Sequence, residues 1–506
     1  MLALWNHWSQ QSSKWKPGEC RNKWATFNAN RGNVVTLGSL LHAIRSNNCN
    51  PDAPERPIVL CVPLALADHF LDVHYRGDDG RPLLRRWRGD FYAFTGSCYR
   101  VVPGEELDPQ IYRHLEGLRT TTSGDVVPIV PRSALVREVS LALPSRTSVL
   151  LPNENEAPHW LDEHTGPDPV HLVPCRNGLL ELPMRTLRPT TPQLFALNAL
   201  SFDYDPAVPE PDRWHHFLNE LWPDDPAAQF TLQRWAGYCL SADTRQQKGL
   251  LVVGPKRSGK GTIGRVLAAL LGQDNICAPT MGSLATNFGL AALLGKSLAI
   301  ISDARLSGRS DQAVVVERIL STTGEDHLTV DRKYREPVTC RLPTRFLILT
   351  NELPQVKDAS GAFASRFIVL QLTESFLGRE DPRLTDRLLD ELPAILNWAV
   401  EGWHDLHHRG HFDQPESGVE TADHLEDLAS PINAFVHDCC VIGPGQQVSS
   451  GRLFDRWKIW CDQQGRYSSS RQVFGRDLRA ALPQVRDERP RAEGGRVRMY
   501  QGVGLV

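Results

Sequence analysis

The chain has 506 residues, 41% of them hydrophobic and 23% charged, with a formal net charge of −3. Roughly 150 residues per domain implies about three domains, and the composition is that of a soluble globular protein. No window approaches ~18 uninterrupted apolar residues, and the start, MLALWNHWSQQSSKWK, lacks a basic stretch leading into an apolar core. Neither a membrane partner nor a signal peptide is expected, and the expected location is cytoplasmic.

The charge is uneven. From residue 431 onward there are 12 Arg and Lys against seven Asp and Glu, a net of +5, so the remainder carries −8. A basic module on a mildly acidic body matches the electrostatic footprint of a nucleic-acid binder. The eleven cysteines form no C-x-x-C pair, and Cys439 and Cys440 are adjacent, so reduced, mostly buried thiols in a cytosol are expected and zinc is not.

In chain order, residues 1–50 read as a small helical unit: Trp5, Trp8, Trp15 and Trp24 precede VVTLGSLLHAIR, whose apolar spacing is helical. NNCNPDAPERP breaks the pattern. Residues 57–185 mix strand-like runs and short helices. GDFYAFTGSCYRVV alternates around a turn at Thr95–Gly96, and VPCRNGLLEL sets an Asn-Gly turn before an apolar strand. Residues 190–245 read as helical, since DRWHHFLNELW and AAQFTLQRWAGYCL space their apolar residues at three and four. Residues 246–405 alternate apolar strands and helices: GLLVVGPKRSGKGTIGRVLAALL is a strand, a loop and a helix, and SLAIISD and RFLILTN each end in a polar residue. That pattern fits a parallel sheet with its site at the strand C-termini. DLHHRGHFDQPESGVETAD reads as a linker, and residues 430–506 as helices followed by a strand-like end, GRVRMYQGVGLV.

The chemistry concentrates in three places. Gly254, Gly259 and Lys260 match G-x-x-x-x-G-K between a strand and a helix, the context a phosphate loop requires. Gly254, Pro255, Ser258, Gly259, Lys260, Gly261 and Thr262 are the expected nucleotide contacts. Backbone N–H groups and the helix N-terminus would face the phosphates of ATP, and Lys260 would contact the β- and γ-phosphates. The residue after the lysine is Gly261, where a Ser or Thr normally holds Mg2+. Either Thr262 supplies the hydroxyl, or the ion is held through water and the acidic strand end. Asp303, closing SLAIISD, stands where a metal-holding carboxylate belongs. Ala304 follows it, so the base is Asp303 itself or a group elsewhere, Glu325 being a weak candidate. Asn351, closing RFLILTN, is placed to orient a water and sense the γ-phosphate. Arg366 is placed to reach a neighbouring subunit's γ-phosphate, a contribution of roughly 10³–10⁵ in rate. Between the second and third strands, a hairpin carries Arg332, Lys333 and Tyr334 at its tip: cations for phosphates and an aromatic for a base. His404, His407, His408 and His411 read as a polar helix end rather than a metal site.

GPKRSGKGT, AIISDAR, GEDHLTVDRKYREP and LILTNELP, in this order, resemble the superfamily 3 DNA helicases. More closely, they resemble the helicase half of phage, plasmid and satellite primase-helicases. The segment NGLLELPMRTLRPTTPQLFALNALSFDYDP is similar to the region before the ATPase in that family, the last 77 residues to its winged helix, and LWNHWSQQSSKWKPGECRNKWATF to the segment that follows its primase domain. The resemblance implies a multidomain α/β fold: an AAA+-type P-loop core with a parallel sheet, a helical collar at 190–245, helical and mixed α+β N-terminal regions, and a C-terminal winged helix. It implies an ATP- and Mg2+-dependent homo-hexamer that unwinds forked DNA while moving 3′ to 5′ on a single strand, for replication of a mobile element. Lys260, Asp303, Asn351 and Arg366 would serve hydrolysis, Thr262 and Asp303 the metal, and Arg332, Lys333, Tyr334, Arg471 and Arg476 the DNA. The chain starts at the segment that follows the primase domain, so no priming is expected, and a separate primase or replication initiator is an expected partner. The alternatives are an ATP-driven DNA-binding initiation or defence factor that does not unwind, and a nucleotide kinase, since GKGT also occurs in adenylate-kinase-like enzymes.

Overall fold

Leu250–Val253 is an unbroken apolar run, and a strand apolar on both sides must be covered on both faces. In the computed structural model it lies at the heart of a parallel sheet. The structure describes residues 16, 57–146, 149–161, 166–302, 309–354, 356, 358, 361–488, 491–492, 495–496 and 498–506. The helical reading of residues 1–50 therefore lies outside the described residues, apart from Lys16. The chain divides into two units, 1–60 with 115–130, and 61–114 with 131–506.

The described part of the first unit is residues 57–60 and an antiparallel hairpin, β4 (Arg119–Thr122) with β5 (Asp125–Pro128), with Ile58 bridged to Arg119.

The second unit begins with α1 (Pro63–His74) and a three-stranded antiparallel sheet, β1 (Leu84–Trp87), β2 (Asp90–Phe94) and β3 (Tyr99–Val102). The expected turn at Thr95–Gly96 joins β2 to β3. Next come α2 (Gly104–Glu116), which runs to the unit boundary, and α3 (Ser133–Ala142). Short strands follow: β6 (His159–Trp160), β7 (Leu172–Cys175), β8 (Gly178–Glu181), β9 (Thr186–Arg188) and β10 (Leu194–Phe195). β7 and β8 form the expected Asn-Gly hairpin.

The 190–245 segment is helical only from Asp212: α4 (Asp212–Leu221) and α5 (Pro226–Leu240). Two observations blur the expected boundary at 185–190. β10 pairs with β6 across it, and Val173 and Leu180 share one core with Trp214, Trp235 and the central sheet.

That sheet holds β11 (Gly249–Val253), β12 (Ile276–Cys277), β13 (Leu298–Ser302), β16 (Arg345–Thr350) and β17 (Phe367–Gln371), in the spatial order β12-β13-β16-β11-β17, all parallel. The first strand thus lies between the fourth and the fifth. Alternation sorts its side chains: Leu250, Val252, Leu347, Leu349, Ile368 and Leu370 face one core, and Leu251, Val253, Phe346, Ile348, Phe367 and Val369 the other. The first core is covered by α6 (Lys260–Leu271), α5, and, beyond α10 (Leu384–Leu389), α11 (Leu392–Arg409). The second is covered by α7 (Met281–Leu284), α8 (Arg309–Thr323), α9 (Ala362–Ser365), α12 (Val419–Ala429), and a hairpin of β14 (Leu328–Arg332) with β15 (Arg335–Cys340). The expected linker is shorter than the sequence suggests, because α11 runs on to Arg409 and α12 starts at Val419.

The tail folds on a core of its own. α13 (Pro431–Cys439), β18 (Cys440–Ser449), α14 (Ser450–Gln463), α15 (Arg471–Ala481), β19 (Arg486–Glu488), the short pair β20 (Arg491–Ala492) and β21 (Gly495–Arg496), and β22 (Met499–Leu505) follow in order. The sheet is antiparallel, β18-β22-β19, and Phe435, Trp457, Trp460 and Phe474 pack ring against ring beneath it.

α5 and α11 cross where both lack a side chain. A Cβ on Gly237 would stand 2.3 Å from the backbone nitrogen of Trp403, and one on Gly402 would stand 2.1 Å from the carbonyl of Gln233. Backbone cannot yield as a flexible side chain does, so an added methyl must push the helices apart. Gly237→Ala is therefore expected to lower stability by about 1–3 kcal/mol, the usual cost of overpacking. Gly282→Ala on α7, where a Cβ meets nothing within 4 Å, is expected to be near neutral. Differential scanning fluorimetry of the two variants compares them directly.

Candidate functional site

The loop between β11 and α6 is shaped by its backbone. Gly259 caps α6 at φ +88°, in the left-handed region, and Arg257 sits at φ +59°. A Cβ on Gly254 would stand 2.7 Å from the Leu372 Cβ, so that glycine permits close approach to the end of β17. Past the loop, Ile263, Val266, Leu267, Leu270 and Leu271 bury one face of α6 at helical spacing.

Three polar side chains are buried here: Ser258, Lys260 and Thr262. The Lys260 ammonium donates to the carbonyls of Gly254 (2.8 Å) and Pro255 (2.6 Å) and to the Ser258 hydroxyl (3.1 Å). Burial pulls its pKa below the usual lysine value. A buried cation, small hydroxyls, a left-handed glycine and a helix N-terminus converge at one spot. This is the chemistry that suits a polyphosphate. The loop is backed from behind, since Phe376 donates its N–H to the Arg257 carbonyl (2.9 Å) and Ser375 its hydroxyl to the Lys256 carbonyl (2.8 Å).

Thr262 Oγ1 accepts from the Arg265 guanidinium at 3.1 Å. A cation thus stands beside the hydroxyl and takes one of its two lone pairs. Sequence reading passed over Arg265 because it lies outside the motif, one helical turn beyond Thr262. Gly261 leaves space, with the Arg265 side chain 3.3 Å from a Cβ placed there.

The sheet register decides which other residues meet the loop. Gly254 donates its N–H to the Thr350 carbonyl (3.3 Å), so the exposed Asn351 stands at the loop's edge of the sheet. Glu352 follows it, an exposed carboxylate tied by a local turn to Thr350 and not considered from the sequence. Asp303, directly after β13, lies outside the described residues.

Arg366 is at the opposite edge. Its carbonyl accepts from Gly249 at the start of β11, whereas Leu372 meets Val253 at the end. Five residues of β17 at ~3.3 Å each separate it from the loop by ~16 Å, so it does not join Lys260 within one chain. Its guanidinium donates to Gln247, a second residue that the motifs did not reveal. Glu325 belongs to this far edge too: it follows Gly324, whose Cβ position is 3.5 Å from the Arg366 guanidinium, and it accepts from Thr244 (2.5 Å). That removes it as a base for the cradle of its own chain.

The β14–β15 hairpin forms as expected, with Lys333 and Tyr334 at its tip. Tyr334 is 93% exposed. Its φ of +60° is a conformation that suits Gly or Asn far better than a bulky residue, and such strain is typical of functional tips. Lys333 lies 5.1 Å from the tyrosine ring. Arg332 departs from expectation: it is largely buried and bound to Asp90 (3.2 Å) on β2, and Arg335 pairs with the same carboxylate. It braces the hairpin's base instead of reaching out from its tip.

In the tail, Arg471 opens α15 and donates to Ser450 (2.7 Å), and Arg476 is exposed beside Asp477. The histidines of 404–411 serve packing and surface: His407 stacks on Trp403, and His411 meets Asp413. Among the described residues no group of His, Cys, Asp and Glu is arranged to hold a metal ion.

Comparison with known proteins adds family relationships. Residues 1–43 match a family described as Primase C terminal 2, residues 155–223 one described as D5 N terminal like, and residues 252–366 one described as a family of unknown function. Each of these matches covers less than half of the chain. Solved structures of the NrS-1 C-terminal region are similar to it over 87% of its length and 99% of theirs, at 12% identity, with TM-scores of 0.49, 0.48 and 0.44.

Two outcomes follow from the local geometry. Gly259→Ala must hold a left-handed backbone and also meets Leu221 at 2.8 Å, so a stability loss of about 1–2 kcal/mol is expected in denaturant melts. A second concerns His114, whose ring nitrogens bond His69 (3.1 Å) and His74 (3.0 Å). Burial and those two rings lower its pKa from 6.5 to about 4. The folded chain therefore binds the proton more weakly than the unfolded one. The contribution to stability is full above pH 6.5 and is lost as the pH falls toward 4. Thermal midpoints measured across that window are expected to fall less steeply in His114→Gln.

Proposed function

We propose that the chain is an ATP-driven DNA helicase of a mobile element's replication system. It acts as a homo-hexameric ring that moves 3′ to 5′ along single-stranded DNA and opens forked duplex. The observation that carries this reading is the placement of Lys260 and Arg366 at opposite edges of one parallel sheet. Identical copies joined head to tail in a closed ring bring each Arg366 to a neighbour's cradle. The strand order, with the first strand between the fourth and fifth, supports an AAA+-type core.

Gly254 to Thr262 would hold the phosphates of ATP, with Lys260 on the β- and γ-oxygens and Asn351 positioned for the attacking water. Magnesium, when bound, would neutralise charge developing on the phosphates, and Thr262 and Asp303 are the groups proposed to hold it. Lys333 and Tyr334 would touch the translocating strand. The order helix, strand, two helices and three-stranded sheet in residues 431–506 supports a winged helix, with Arg471 and Arg476 on the helix that faces DNA in such folds.

Lys260→Ala and Arg366→Ala are each expected to abolish ATPase activity stimulated by single-stranded DNA, the second by roughly 10³-fold or more. Mixing the two inactive proteins in equal amounts, under conditions that let subunits exchange, is expected to restore roughly a quarter of the wild-type rate. That is the share of neighbouring pairs combining an intact cradle with an intact arginine in a randomly mixed head-to-tail ring. No recovery on mixing would overturn the shared site. Robust ATPase without strand separation on a forked substrate would favour the non-unwinding DNA-binding ATPase instead.

A further inference from the structure

Beside the hairpin lies a cleft of about 800 Å³, walled by β3 and the β1–β2 turn on one side and by residues 291–296 and β15 on the other. Seven arginines and lysines line it against three carboxylates. A cleft lined by one excess sign focuses its field and draws in counter-charge.

Several of these cations are free to meet an anion. Among the described residues no carboxylate pairs with the side chain of Lys333 or Arg341, both exposed, although Arg341 donates its backbone N–H to Glu156 (3.3 Å). The Lys296 ammonium donates to a neutral oxygen, the Asp274 carbonyl (2.6 Å). Arg100 donates to two neutral oxygens, Leu197 O (3.0 Å) and Asn275 Oδ1 (3.2 Å), and reaches the highly exposed Asp274 carboxylate only at 3.8 Å. Asp90 alone balances both Arg332 and Arg335, leaving a surplus positive charge at the hairpin base.

We propose that this cleft is a binding groove for single-stranded DNA, with Arg100, Lys296, Lys333 and Arg341 on its phosphates. Asp90 competes with those phosphates for Arg332 and Arg335. The strand would lie between the hairpin and the β1–β3 sheet, so the region before the ATPase grips the same strand that the hairpin moves. This rests on the reading of the hairpin as a DNA contact. A single strand fits better than duplex, because Tyr334, exposed and next in sequence to the lining Lys333, offers a ring to stack on, and only unpaired bases present their faces. Tyr92 adds a neutral donor to the wall, since burial pushes its phenol up to about 12.

The test is fluorescence anisotropy of a labelled oligo(dT) with the full chain over a range of salt concentrations. Wild type is expected to bind. Arg100→Gln with Arg341→Gln should weaken binding about tenfold at moderate salt, and the log–log salt slope should fall by about 1.4, or ~0.7 for each lost phosphate contact. Lys296→Gln, on the surface, repeats the test at a third position if the double variant melts early. Asp90→Asn should tighten binding severalfold. If Lys333→Ala weakens binding while the arginine pair and Lys296→Gln bind with the wild-type slope, the groove is refuted and the hairpin reading stands. If wild type does not bind oligo(dT), the hairpin reading falls as well. Weaker binding by a folded Asp90→Asn would overturn the competition. Equal losses for duplex and single strand would overturn the strand preference.

Discussion

The hydrogen-bonded position of β11 between β16 and β17 is the constraint on which the rest depends. Parallel pairing on both sides fixes which residues stand at which edge of the sheet. It puts the Gly254–Thr262 loop beside Thr350 and Asn351, and Arg366 five strand residues away. A slip of one residue would turn every apolar side chain to the wrong core. The two cores, each with its own covering helices, make such a slip prohibitive. The site is therefore set by sheet register before any of its polar groups interact.

A second constraint operates between segments far apart in sequence. The hairpin between α8 and β16 is anchored from below by Val330, Val338 and Cys340 in the core, and from the side by Asp90. The first anchor is apolar and leaves the tip free. The second is ionic and links the tip's base to the β1–β3 sheet. One carboxylate facing two guanidinium groups holds the hairpin without neutralising it, so anchoring and positive charge coexist. A pair of carboxylates would have anchored it more firmly and removed that surplus charge.

How much of this was legible in the sequence follows from the range of each interaction. The strand, loop and helix around Gly254–Thr262 and the hairpin are local patterns, and each of these elements is found where its residues place it. Strand order, and with it the separation of Lys260 from Arg366, is a non-local property that no periodicity encodes. The boundary expected at 185–190 rested on a change from alternating to helical spacing. The structure carries one core through it, because Val173 and Leu180 of β7 and β8 bury against α4 and α5. Arg332 shows the same limit more sharply. At a hairpin tip a basic residue reads as solvent-facing, and only the fold reveals that Asp90, 242 residues earlier, lies within reach. Arg265 and Gln247 were missed because they act through a neighbour's side chain, which leaves no signature in composition or spacing.

Gly261 shows how a departure from a motif becomes intelligible in three dimensions. At the first turn of α6 it leaves a gap that the Arg265 side chain approaches, and Arg265 in turn takes the Thr262 hydroxyl. A serine or threonine at 261 would put its Cβ 3.3 Å from that guanidinium and crowd it. The glycine and the arginine therefore form a linked pair: removing the usual hydroxyl makes room for a cation one turn along the helix. A guanidinium at that position attracts negative charge by Coulomb's law. Arg265 thus adds a positive charge at the first turns of α6, held between the Thr262 and Thr385 hydroxyls.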